Sequence, residues 1–129
     1  MASRHLDWFR QAEADLRLAR AARDGGHFEW SCFAAQQAAE KALKALFQRH
    51  GQEAWGHTLS ALIGRLPAGV EASADLVEGC KSLDKHYLPT RYPSGFDEGA
   101  PTDFYTEAEA DAAIEHAAEI IEFCRSHLD

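Results

Sequence analysis

The sequence predicts an all-α protein, and three observations carry that expectation. Apolar residues recur at intervals of three and four along separate runs, the spacing that gathers one face of a helix. No stretch alternates apolar and polar residues as a half-buried strand would. Gly25-Gly26, Gly51, Pro67 and Pro89 fall where the periodic runs end. At 129 residues, 46% hydrophobic and 26% charged, the chain is expected to be a single domain (residues 1–129) with one hydrophobic core.

The first helix is expected from about Leu6 to Asp24, with Leu6, Phe9, Ala12, Leu16 and Ala19 facing inward and Glu13, Arg17 and Arg20 on other faces. Gly25-Gly26 ends it, because glycine tolerates the left-handed conformation that closes a helix. The second helix should run from His27 to His50, a stretch free of Pro and Gly, with Gly51 as its C-terminal signal. Phe28, Cys32, Ala35, Ala39, Leu43 and Leu46 form its apolar stripe. Gln37, Lys41 and Lys44 share a different face, which by default is solvated. Glu40 precedes Lys44 by four residues, the favourable order for a helical ion pair. A short helix beginning near Thr58 carries Leu59, Leu62, Ile63 and Leu66 inward and stops at Pro67. A fourth helix is expected over Glu71 to Tyr87, with Leu76, Val77, Cys80, Leu83 and Tyr87 inward and Gly79 as a weak point. Arg91 to Tyr105, with Pro93, Gly95, Gly99 and Pro101, reads as a long connection. Thr106 and Glu109 form a capping-box pattern that opens the last helix, which reaches about His127.

Composition excludes several functions. No apolar run approaches the ~18 residues of a membrane span, and Met1 to Arg10 lack the features of a secretory leader. The three cysteines Cys32, Cys80 and Cys124 are distant from one another and lie at apolar-facing positions. They read as reduced core thiols, which together with the missing leader points to the cytoplasm. The net charge of −8 is uneven: residues 1–65 carry nine Lys/Arg against seven Asp/Glu, and residues 66–129 carry four against fourteen. An acidic surface of this kind disfavours non-specific DNA or RNA binding. Seven histidines occur, but none is spaced as a helical metal-ligand pair, so no metal site is expected. No glycine-rich phosphate loop and no nucleophile elbow is present, and no cofactor is expected.

Chemistry concentrates in Leu88-Pro89-Thr90-Arg91-Tyr92-Pro93. The prolines hold Leu88 and Tyr92 extended and keep the segment out of a helix. A rigid loop that presents a guanidinium and a phenol is a fitting recognition element. Its structural counterpart is Arg91 paired with a carboxylate and Tyr92 packed.

Five stretches together resemble the HEPN domain family. They are Ala14-Asp15-Leu16, then Ala35 to Ala45 (Ala-Gln-Gln-Ala-Ala-Glu-Lys-Ala-Leu-Lys-Ala), His57-Thr58-Leu59-Ser60-Ala61-Leu62, His86 to Pro93, and Tyr105 to Ala110. The resemblance spans nearly the whole chain. It implies an up-and-down bundle of four to five helices that forms a homodimer, often beside a minimal nucleotidyltransferase as a toxin–antitoxin-like pair. Some members resemble metal-independent ribonucleases that use an Arg followed after four to six residues by a His; others bind nucleotides or act as interaction modules. Counted from Arg91, that His would fall at Phe96, Asp97 or Glu98, so the ribonuclease motif is not intact. The leading expectation is therefore a non-catalytic dimeric module that binds a nucleotide (ATP or GTP), a nucleotidyltransferase-domain partner, or both. Arg91 would grip phosphate and Tyr92 would stack a base or donate a hydrogen bond, with Lys41, Lys44, His57 and His86 supplying further charge or donors. The alternatives are a ribonuclease toxin in which His57 or His86 replaces the missing His, and a purely structural interaction domain.

Overall fold

The computed structural model describes residues 3–129; Met1 and Ala2, which open the segment read for a leader, lie outside the described residues. Among the described residues no strand forms. The helices are α1 (His5–Asp24), α2 (Phe28–Arg49), α3 (Leu59–Ile63), α4 (Ala74–Asp84), α5 (Pro101–Phe104) and α6 (Glu107–Arg125), with a 3₁₀ turn at Pro93–Gly95. The all-α expectation holds. None of these helices is long and apolar enough to cross a membrane.

Local chemistry places most of the helix ends. α1 and α2 both close with the same pair of bonds. His27 N–H donates to Ala22 and Gly26 N–H to Arg23; Gln52 N–H donates to Phe47 and Gly51 N–H to Gln48. Each motif needs left-handed backbone at its glycine, and Gly26 (φ 79°) and Gly51 (φ 74°) supply it. At α6 the capping box forms as the sequence predicts, with Glu109 N–H donating to Thr106 Oγ1 and Thr106 N–H to Glu109 Oε1, both at 3.2 Å.

α2 is the central helix and packs against α1, α6, α3, α4 and α5. Ala34, Ala35, Ala38, Ala39, Ala42 and Ala45 are all buried on it, and their small side chains let several neighbours approach one helix. Leu43, Leu46, Leu59, Leu62, Leu83 and Ile120 fill the core, each full burial contributing roughly 1.5–3 kcal/mol. Cys32, Cys80 and Cys124 are buried and reduced.

Several expectations shift. Leu6 faces solvent from the first turn of α1, where Trp8 and Phe9 are the side chains that pack against the core. α3 stops at Ile63 with Gly64 as its cap, before Pro67, which leaves Leu66 only partly buried. α4 is shorter than Glu71–Tyr87. Ser73 Oγ accepts from Leu76 N–H and starts the helix, while bonds from Lys85 to Ser82 and His86 to Leu83 tighten its exit. Gly79 is a point of close approach, since a Cβ there would lie 3.1 Å from His116 Nδ1 on α6. The long connection holds the 3₁₀ turn and α5, where Pro101 opens the helix and Asp103 accepts from Ala100 N–H at 2.9 Å.

Candidate functional site

Two rows of side chains step along α2 at intervals of four, Phe33–Gln37–Lys41 and Gln36–Glu40–Lys44. The second row makes a buried polar network. Glu40, whose side chain is 5% exposed, accepts from Lys44 Nζ at 3.0 Å and from His57 Nδ1 at 3.0 Å. Gln36, fully buried, donates from Nε2 to Glu40 Oε1 and to the His57 carbonyl, both at 3.2 Å. In the first row Lys41 Nζ lies 2.5 Å from Asp15 on α1, and Asp15 also accepts from Gln11 Nε2 at 2.9 Å. Lys41 and Lys44 are thus not a solvated face. Burial left each positive charge needing a carboxylate, and each has one.

His57 is placed by α3 and α4 together. Asp84, at the end of α4, accepts from Leu59 N–H (2.6 Å), Ser60 N–H (3.1 Å) and Ser60 Oγ–H (2.6 Å), capping α3 where the Thr58 side chain does not. Against this fixed helix start the His57 ring stacks on Tyr87, centroids 4.7 Å apart and planes 17° apart. Glu40 only accepts, so Nδ1 carries the hydrogen of this bond, and Nε2 of His57 makes no hydrogen bond among the described residues.

Arg91 completes the cluster. Its guanidinium carbon lies 4.3 Å from the Phe33 ring centre, 4.7 Å from Tyr87 and 5.2 Å from Tyr92. Nε–H donates to the Tyr87 carbonyl at 2.9 Å. Each ring contact stabilises the cation by about 0.5–2 kcal/mol depending on its desolvation. No carboxylate of the described residues pairs with Arg91, so its terminal N–H groups remain available.

The structure brings Arg91, Tyr92 and His57 together around Tyr87; Lys44 reaches this cluster only through Glu40 and turns its ammonium over the Trp8 ring, 5.9 Å from its centre, while Lys41 lies beyond Phe33 and Gln37 on the α1 side of α2. His86 sits elsewhere. It is buried against Tyr105, whose hydroxyl lies 3.4 Å from Nδ1, and burial lowers its pKa despite the opposing charge of Glu109. Of the three positions where a ribonuclease His would fall, Phe96 stacks on Phe104 at 4.6 Å, while Asp97 and Glu98 face solvent. Sequence reasoning missed Phe33, Asp15, Gln36 and the hub role of Glu40. A signal was present: Gln36 and Glu40 are polar residues among alanines bound for the core, which calls for partners nearby.

Comparison with known proteins agrees with this architecture. Residues 5–127 match the HEPN domain family. A crystal structure of a Thermus thermophilus protein is 45% identical, with a TM-score of 0.96, and the match covers 98% of this chain and 100% of that one. An archaeal HEPN homologue is 42% identical, with a TM-score of 0.84 over 99% of this chain and 100% of that one. A HEPN domain protein from Thermotoga maritima is 34% identical, with a TM-score of 0.76 over 93% and 95%. A Methanocaldococcus jannaschii protein named "putative toxin" is 25% identical over 130 residues, spanning 94% of this chain and 86% of that protein.

Proposed function

Because the chain belongs to the HEPN domain family, we propose that it is a dimeric, nucleotide-binding module that works with a partner carrying a minimal nucleotidyltransferase domain. One observation carries the ligand: a guanidinium held on three aromatic rings, with no carboxylate of the described residues to neutralise it. A cation ordered in this way loses little side-chain freedom on gripping phosphate oxygens, so the fork of Arg91 is the phosphate contact. Tyr92, 51% exposed beside it, stacks or donates to the ligand, and His57 offers Nε2. Lys41 and Lys44 are each held by a carboxylate and contribute charge at a distance, and His86 braces the loop through its carbonyl, which accepts from Thr90 Oγ1 at 2.8 Å. The partner and the pairing of two copies rest on family membership, and the toxin-named relative favours a toxin–antitoxin-like arrangement.

Calorimetric titration with ATP and GTP tests the ligand. Wild type should bind saturably below millimolar concentration, and Arg91→Ala should lose at least tenfold in affinity, since a charge-assisted phosphate contact contributes about 1.5–3 kcal/mol. Equal affinity in the variant would remove Arg91 from the site. Light scattering should give the mass of two copies; a monomeric mass would end the dimer reading.

A second reading is favoured by the Glu40–His57 pair. A carboxylate that orients an imidazole, with an arginine on the same tyrosine ring, could serve proton transfer and phosphate stabilisation in a metal-independent ribonuclease. RNA cleavage in EDTA that disappears in His57→Ala and Arg91→Ala would establish it; an inert wild type would rule it out.

A further inference from the structure

On the α1 side of Phe33 lies a groove of about 350 Å³, lined by Asp15, Leu18, Ala22, Trp30, Phe33, Ala34, Gln37 and Lys41. Its size falls at the lower end of small-ligand sites. Two large apolar side chains stand open on it, Leu18 at 58% and Trp30 at 52% exposure. The rings of Trp30 and Phe33, 6.2 Å apart and inclined at 79°, make a corner into which a flat ring can stack against one wall and meet the other edge-on. Phe33 is shared, because the Arg91 guanidinium also rests on its ring.

The polar lining has a defined direction. Glu40 only accepts hydrogen bonds, so the Gln36 nitrogen must face it. The Gln36 oxygen then faces Gln37, whose Nε2 donates to it at 2.7 Å. Gln37 is left with its oxygen unengaged among the described residues, half-buried beside the groove. That oxygen asks for an N–H donor.

Resting on the nucleotide reading above, we propose that this groove is the base subsite of the Arg91 site, and that it takes an amino-bearing purine. The base stacks on Trp30 beside Phe33, its amino group donates to the Gln37 oxygen, and its phosphates reach across Phe33 to the unpaired Arg91. Charge decides the orientation. The far end of the groove holds Asp15, already neutralised by Lys41, whereas the Phe33 end adjoins Arg91, which pairs with no carboxylate of the described residues, so the anionic part of the ligand lies at Phe33. A bicyclic purine covers more of the indole than a pyrimidine does.

Three ligands separate the parts: ATP, inorganic tripolyphosphate, and purine riboside triphosphate, which lacks the amino group. They are titrated by calorimetry into wild type, Arg91→Ala, Trp30→Ala and Gln37→Leu, with light scattering on each protein. ATP should bind fivefold or more tighter than tripolyphosphate, the range that base–aromatic stacking supplies. Trp30→Ala should bring ATP down to the tripolyphosphate affinity while leaving tripolyphosphate unchanged, and Arg91→Ala should weaken both. Purine riboside triphosphate should bind about fivefold more weakly than ATP to wild type, and equally to Gln37→Leu. Because that last comparison is made within one variant, general damage to the fold cannot imitate it. Equal binding of ATP and tripolyphosphate, unmoved by Trp30→Ala, overturns the base subsite and leaves the Arg91 anion site standing. A drop in mass for Trp30→Ala with unchanged ATP affinity assigns the groove to a second copy instead. If wild type binds none of the three, the nucleotide reading of Arg91 falls and takes the subsite with it.

Discussion

Among the histidines, His57 and His86 finish in opposite environments, and the difference comes from what each ring was left to pair with. His57 is 53% exposed at its side chain and rests between Glu40 and Tyr87. His86 is buried, and desolvation lowers its pKa below the ordinary 6.5, with Lys85 and His116 adding repulsion and Glu109 opposing them. A depressed histidine pKa means that the folded state holds the neutral ring, while the unfolded chain takes up a proton near the ordinary value. Its contribution is therefore fully present above about pH 6.5 and is lost as the pH falls from there toward the folded pKa. Melting curves between about pH 7 and 5 should show a decline that is shallower in His86→Leu than in wild type. Parallel declines would show that His86 does not titrate with folding.

At the level of elements, Asp84 links α3, α4 and the candidate site. A helix as short as α3 has little intrinsic stability, and its first N–H groups need an acceptor. Asp84 provides one from another helix, and by fixing the start of α3 it fixes His57 on Tyr87. Asp84→Ala should cost about 1–2 kcal/mol in denaturant unfolding, the scale of a lost cap. It should also speed amide exchange selectively at Leu59 to Leu62. Unchanged exchange there would mean that packing of Leu59 and Leu62 alone holds α3.

Across the whole molecule, the alanine-rich α2 surrounded by other helices leaves the three cysteines without access to solvent. Burial pushes the Cys32 and Cys80 thiols up to about 12 and raises Cys124 as well. The reactive species is the thiolate, so these groups should be inert in the folded protein. Labelling with a thiol-specific disulfide reagent should proceed at the rate of global unfolding and count all three thiols together. Rapid labelling of one thiol would reveal local opening of its helix.

Much of the fold was legible in the sequence because its causes are local. Gly26 and Gly51 close their helices through their own backbone freedom, Thr106 and Glu109 cap through a fixed offset, and the apolar period of α2 and α6 follows from the geometry of one helix. The sequence also pointed to Arg91 and Tyr92, because two prolines announce a rigid loop. Contacts between distant residues were not legible. The pairing of Lys41 with Asp15, the capping of α3 by Asp84, the sharing of Tyr87 by His57 and Arg91, and the exclusion of His86 from the cluster all depend on how helices sit against one another. Periodicity says which face of a helix turns inward. Only tertiary packing decides which side chain of another element meets it, and that meeting determines which charges are neutralised and which, like Arg91, meet no carboxylate among the described residues.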